Sequence, residues 1–405
     1  MERRVYFVVS LFFVSLFSVG ALAAQDLCAQ LKAPLGPNVE ITYVKLVNFI
    51  KCNHFTRIDQ VLRGLPLRLR SRYVLVYKSH SRHKDATFDE PRIILEDEEA
   101  KIIIASAGNP KQINGDNLEV IENGSDGSDS KFHVIVTPEQ NGGEIKYSDD
   151  NPKMTESCVK CHRQHLSPNW ESYPNWPGVY GSGGSGLDEE DHYKAFVDKL
   201  KDEKLSDPQS LVLARYTALD GLVEGKVDIY ELESRNHTFA QDIGMFNQTR
   251  LTKRITSDPS FEKMQPALSA AAQGCANLES FFPATYQSKF PISLAEYQEQ
   301  VEADTLTHFR GELKTIADLT GDSYVDPVDW LFFFDVKPFI PMGYVMKYAM
   351  GIDPDDYSVT KDSSIYNSEH TLGGFTTGFS FYGYGQSCGD LKKLSLQKLG
   401  TITGR

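Results

Sequence analysis

Five residues near the middle of the chain, Cys158-Val159-Lys160-Cys161-His162, limit what it can become more than any other feature. Two thiols separated by two residues fit on one helical turn, and a histidine directly after the second thiol is carried along with them. With this spacing both sulfurs can reach the two vinyl groups of a single haem while the imidazole lies beneath the iron. The motif predicts one covalently attached haem c, with Cys158 and Cys161 as attachment points and His162 as an axial iron ligand. Two other chemistries compete for the same residues. A thiol-oxidoreductase disulfide between Cys158 and Cys161 expects a βαβ setting, which the irregular surrounding sequence does not supply. Zinc would find four donors in Cys158, Cys161, His162 and His165, but structural zinc sites usually bring two donor pairs from separated segments.

The first residues bear on where such a cofactor would be attached. Glu2-Arg3-Arg4, an apolar stretch over 5–22 and the small-residue exit at Ala21-Leu22-Ala23 have the order of a secretory signal peptide, residues 1–24. An uncleaved anchor is the competing reading, because the apolar run approaches spanning length. Later in the chain, Trp330-Leu331-Phe332-Phe333-Phe334 is cut short by Asp335 and Lys337, so no membrane span is expected after cleavage. The expected location is the periplasm or outer surface of a bacterial cell. In that oxidising setting the remaining four of the six cysteines should pair. Of three connectivities, Cys28 with Cys52 and Cys275 with Cys388 is the economical one.

Removing the leader leaves about 380 of 405 residues, enough for two or three domains. A formal charge of −13 argues against a nucleic-acid partner, and the acidic runs at 96–99 and 188–191 read as solvated faces. Residues 25–138 read as a strand-rich N-terminal domain. Its short β-branched or aromatic runs are Tyr73 to Tyr77, Arg92 to Leu95, Lys101 to Ala105, Leu118 to Ile121 and Phe132 to Val136. Their weak alternation leaves sandwich, barrel and single layer open. Residues 139–186 change to Pro, Gly, Asn, Trp and Tyr with little periodicity, as a cofactor-wrapping segment would.

Residues 187–405 read as mainly helical. Tyr193, Phe196, Val197 and Leu200 fall at helical spacing, Asp207-Pro208 resembles a helix start, and Ser293 to Glu296 resembles a capping box. Phe375 to Tyr384 returns to strand character. The fold class expected is α+β.

Within the central segment, two of the three tryptophans lie in the run from Pro168 to Ser182. Trp170, Tyr173 and Trp176 are candidate haem contacts, since flat rings cover a porphyrin and exclude water; an aromatic mini-core bracing a long loop is the alternative. The run from Asn151-Pro152 through Cys158-x-x-Cys161-His162 to Pro168-Asn169-Trp170-x-x-Tyr173-x-x-Trp176-Pro177-Gly178-x-Tyr180-Gly181-Ser182 resembles a group of exported bacterial proteins with a single c-type haem motif. Tyr73 to Tyr77, Ser79, Ser81, Pro91-Arg92 and Asp353 to Ser358 are similar to that group as well. The resemblance spans most of the mature chain and implies export and haem attachment at Cys158 and Cys161, without implying an activity. Arg163 stands where many c-type motifs continue toward a small residue.

The second axial ligand decides much of the chemistry, because methionine raises the reduction potential and histidine usually lowers it. No methionine lies between Cys161 and Met245. His192 is the slightly favoured distal candidate, with Met154 and the stripe Met342, Met346, Met350 behind it, the stripe reading more naturally as core; an open sixth position is the alternative. The expected function is electron transfer with a redox partner protein. A haem enzyme acting on peroxide or another small oxidant, and a haem-containing ligand-binding or sensor protein, are the alternatives. Asp318 to Asp322 lacks the glycine position and closing glutamate of a calcium loop and reads as a turn. Asn123, Asn236 and Asn247 head glycosylation sequons, relevant only to a eukaryotic source.

Overall fold

The computed structural model describes residues 28–78, 82–83, 85–124, 130–138, 144–156, 158, 178–181, 186–301, 303, 340–352 and 386–400. The architecture is α+β. Six antiparallel strands follow one another across a single sheet: β1 (Tyr73–Val76), β2 (Arg92–Glu96), β3 (Ile102–Ser106), β4 (Asn117–Glu122), β5 (Lys131–Val136) and β6 (Lys146–Tyr147). Each of the five apolar runs in the sequence forms one of the first five strands. The two-residue β6 carries no such signal.

Register explains the weak alternation. Leu75 stands opposite Ile93, Leu95 opposite Ile104, Ile104 opposite Val120 and Leu118 opposite Ile135. Side chains alternate across a strand, so these residues share one face and Val74, Val76, Ile94, Ile103 and Ala105 share the other. Both faces are covered, and β1, β2 and β3 are buried along their whole length. Strands buried on both sides need apolar residues at every position, which removes the period-two signal.

Five helices cover the first face: α1 (Tyr43–Cys52), α2 (Ile58–Gly64), α3 (Leu67–Arg70), α4 (Gly186–Ser206) and α5 (Leu211–Tyr216). Thr42 caps α1 by accepting from Lys45 N at 3.3 Å, and Leu46, Phe49 and Ile50 turn inward at helical spacing. The 25–138 region is thus helical ahead of Tyr73 and strand-rich after it. In α4, Tyr193, Phe196, Val197 and Leu200 are buried as their spacing predicts. They pack in the same core as the sheet. Asp207-Pro208 does not start the next helix; Ser210 caps α5 by accepting from Leu213 N at 3.3 Å. The capping box forms as expected, with Glu296 N donating to Ser293 Oγ at 3.2 Å and Ser293 N donating to Glu296 Oε2 at 2.8 Å.

The second face lies under α6 (Ile229–Ser257), whose Phe239 and Ile243 meet Val74, Val76, Ile94 and Ile103. Val179 pairs with Val76 and extends the β1 edge. From Ile255, in the last turn of α6, onward, residues build a separate apolar cluster around α7 (Phe261–Ala272), the 340–352 stretch and α8 (Cys388–Gly400). Met342 and Met346 are fully buried there. Both expected disulfides form, Cys28 with Cys52 and Cys275 with Cys388.

Helix α5 is tied to the sheet by two buried residues. Arg215 donates to Ala107 O at 2.8 Å and Gly115 O at 2.7 Å, and Tyr216 donates to Pro91 O at 2.8 Å. The backbone at Gly108 passes so close that an added methyl would lie 1.8 Å from Tyr216 Oη and 2.3 Å from Pro91 O. Gly108→Ala is therefore expected to cost about 2 to 3 kcal/mol by overpacking. A lower urea midpoint with an unchanged slope would register it, and an unchanged midpoint would contradict this close approach.

Candidate functional site

The approach to Cys158 is built by local capping. Asn151 accepts from Lys153 N at 3.3 Å and starts one 3-10 turn, Pro152–Thr155, with proline at its first position. This turn packs on β5. Arg82 Nη1 donates to Met154 O at 3.2 Å, fastening the turn to the segment after β1. Cys158 follows, half-buried and outside both disulfides.

Next to it lies a charged cluster on the second face of the sheet. Arg92 begins β2 opposite Val76, and Glu119 stands on β4 opposite Ala105, so both project to the side that α6 covers farther along. Glu119 Oε2 accepts from Arg92 Nη2 at 2.8 Å and lies 3.6 Å from His83 Nδ1, while its Oε1 is 3.8 Å from Arg82 Nε. His83 Nε2 contacts Asn114 O at 3.2 Å. A carbonyl can only accept, so that nitrogen carries a proton.

Burial pushes the His83 imidazole down to about 4, with Glu119 opposing and the two arginines adding to the effect, so the ring is neutral near pH 7. The Arg92 guanidinium is also lowered by burial, and the Glu119 carboxylate and the Cys158 sulfur act against that. Cys158 is therefore within electrostatic reach of a buried cation.

Of the predicted site residues, Cys158 and His192 lie among the described residues. Cys161, His162, Trp170, Tyr173 and Trp176 lie outside them, as do His165 and the stretches Asp318 to Asp322 and Phe375 to Tyr384. His192 is exposed near the start of α4 and stacks on Phe88 with ring centroids 4.1 Å apart. Phe88 in turn stacks on Tyr77 at 4.2 Å, and Tyr180 donates to Phe88 O at 2.9 Å. His192 thus caps an aromatic cluster next to Gly178, whose carbonyl accepts from Tyr77 N at 2.8 Å. Gly181 lets the end of that segment lie against α6; a methyl there would come within 2.3 Å of Glu233 N.

Two of the three sequons are closed by burial. Asn123 donates to Ala100 O at 2.6 Å and accepts from Ser130, and Asn236 is 1% exposed on the buried side of α6. Among the described residues no group of three or more His, Cys, Asp or Glu side chains could hold a metal ion. No helix among them is long and apolar enough to cross a membrane. No protein family, curated protein or solved structure matches the chain.

The cluster of Arg82, His83, Arg92 and Glu119 was not read from the sequence. Its one signal was parity: a charged residue at the edge of an otherwise apolar strand, and another between Leu118 and Val120. Neither position points to its partner until the register across β2, β3 and β4 is known.

Proposed function

We propose that this chain is an exported electron-transfer protein carrying one haem c, bound through thioethers at Cys158 and Cys161 with His162 as an axial ligand. The observation that carries the reading is the use of the cysteines. Four of the six cysteines pair with one another, Cys28 with Cys52 and Cys275 with Cys388, so the Cys158, Cys161 motif is bridged to none of them, as thioether attachment requires. Disulfides also suit an oxidising compartment, the setting expected from the leader.

The group, when bound, supplies a centre that takes up and releases one electron. The protein's part is to hold and shelter it. The turn 152–155, capped by Asn151 and fastened by Arg82, lies just ahead of Cys158 and would set the approach of the chain to it. Trp170, Tyr173 and Trp176 would offer flat apolar cover to the bound group. His162 would be one residue holding the iron, and His192, on the aromatic cluster next to Gly178, the slightly favoured second. A redox partner protein supplies and accepts the electron.

Coordination tests the carrier reading. Protein matured in an export-competent host is reduced, exposed to carbon monoxide and followed by its visible spectrum. No shift within minutes is expected, because a carrier keeps both axial positions filled. Prompt binding would replace the carrier with an oxidant-reducing or ligand-sensing haem protein, and a spectrum unchanged by His192→Ala would remove His192 as the ligand.

A further inference from the structure

The three helices ahead of β1 carry a charge opposite to that of the whole chain. Residues 28–72 hold eight lysines and arginines against two carboxylates, Glu40 and Asp59, although the formal charge of the protein is −13. Asp59 is fully buried, and both Arg57 Nε at 2.9 Å and Arg63 Nη2 at 3.4 Å close on it. It therefore offsets little of the field outside the layer. Among the described residues Lys32, Lys45 and Lys51 enter no ion pair; Lys51 Nζ lies over the Tyr147 ring at 4.7 Å.

An apolar side chain stands among these charges. Val44 on α1 is 63% exposed. Lys51 follows it by seven residues, two helical turns, so the two share the outer stripe of α1, opposite the buried Leu46, Phe49 and Ile50. Lys32 is brought to the end of the same helix. Asn53 donates to Leu31 O at 2.7 Å and accepts from Ala33 N at 3.1 Å, and Cys28 is bridged to Cys52. Against the cations stand Glu40, Glu122, which accepts from Tyr43 N at 3.1 Å, and Asp149 and Asp150 beside Tyr43. They lower the field and leave the layer positive. Charges farther off than about 8 Å are screened at physiological salt, so the acidic remainder of the chain does not cancel the layer at contact.

The path of the chain says what this layer meets. The apolar leader ends at Leu22, six residues before Cys28, and an extended chain covers at most about 20 Å over that distance. Because Cys28 is fixed to α1, the layer lies next to a segment suited to a bilayer. The three helices cover the first face of the sheet, whereas Arg92 and Glu119 beside Cys158 project from the second. Contact through the layer thus leaves the neighbourhood of Cys158 uncovered.

We propose that the layer of α1, α2 and α3 docks on an anionic lipid surface, with the outer stripe of α1 and Lys32 against the headgroups. The lysines supply the attraction, and Val44 enters the boundary between headgroups and acyl chains. Docking orients the protein with the sheet's second face toward the compartment, where a soluble partner can reach it.

Sedimentation with vesicles tests the docking, using protein recovered from an export-competent host. Binding is expected to phosphatidylcholine vesicles containing about one-third phosphatidylglycerol and not to phosphatidylcholine alone. Raising the salt to about 0.5 M should release the protein. Lys32→Gln, Lys45→Gln and Lys51→Gln combined remove three charges and should weaken binding about a hundredfold. Val44→Asp, a separate variant on the same stripe, should weaken it about tenfold or more. Unchanged affinity in either variant overturns the proposal, and so does binding that resists salt, which would come from the apolar leader. Capture by soluble polyglutamate without sedimentation on either vesicle also overturns it and gives the layer to an acidic protein. No arm of the test depends on haem attachment, so its failure is distinct from failure of the haem reading.

Discussion

Protein in which Cys158 and Cys161 are both replaced by alanine is expected to lose all haem on acid extraction, whereas the wild type keeps its colour and a mass increase of one haem. The difference is all-or-none because thioethers survive denaturation and axial coordination does not. Cys158→Ala or Cys161→Ala alone leaves one attachment point and should retain covalent haem in part. His162→Ala leaves both sulfurs in place, so it should keep the mass increase while the visible spectrum loses the signature of its axial imidazole. A colourless wild type from a host with intact cytochrome maturation would falsify the haem reading. Two thiols that instead titrate reversibly as a disulfide pair would move the site to thiol redox chemistry.

Much of the sheet was legible because its strands are short runs of Ile, Val, Leu and Tyr cut by turn residues, a signal that survives burial on both faces. Topology was not. Burial on both faces removes the alternation that separates a single layer from a sandwich, and only the cross-strand register decides it. Of the helices before Tyr73, α2 and α3 are short, seven and four residues, and offer at most two turns of pattern, whereas α1 carries helical spacing at Leu46, Phe49 and Ile50 that a strand-rich reading passes over.

Site residues were legible where chemistry demands fixed spacing. Cys158-x-x-Cys161-His162 announces itself within five residues, and the disulfide pairing followed from sequence proximity and region. The Arg92 and Glu119 pair is 27 residues apart in sequence and is created by two strand crossings. The methionine stripe was ambiguous because a thioether suits a core and an iron equally well. Burial of Met342 and Met346 among the aromatic residues of the second cluster assigns them to packing.

Loss of the two disulfides should not be equivalent. The bridge from Cys275 to Cys388 spans 113 residues and that from Cys28 to Cys52 spans 24. In the chain-entropy model, closing these loops stabilises by roughly 5 and roughly 3 kcal/mol respectively. Local packing sharpens the contrast. Around Cys52, α1 is already held by Leu46, Phe49 and Ile50 in the large core, and Asn53 donates to Leu31 O at 2.7 Å across the bridged segment. Helix α8 relies on Leu391 and Leu399 against the second cluster and on Lys398 Nζ donating to Glu262 O at 2.8 Å. Replacing Cys275 and Cys388 by alanine should therefore unfold the second cluster, built from Ile255, α7, Ile340 to Ile352 and α8, at lower urea while the sheet, whose core runs from Leu31 to Leu232, keeps its own midpoint. Replacing Cys28 and Cys52 should shift the sheet transition by less. Fragment-resolved hydrogen exchange through the urea titration separates the two regions. A single shared transition, or a larger loss from the shorter bridge, would mean that the disulfides act on one cooperative unit and that loop length does not govern their effect.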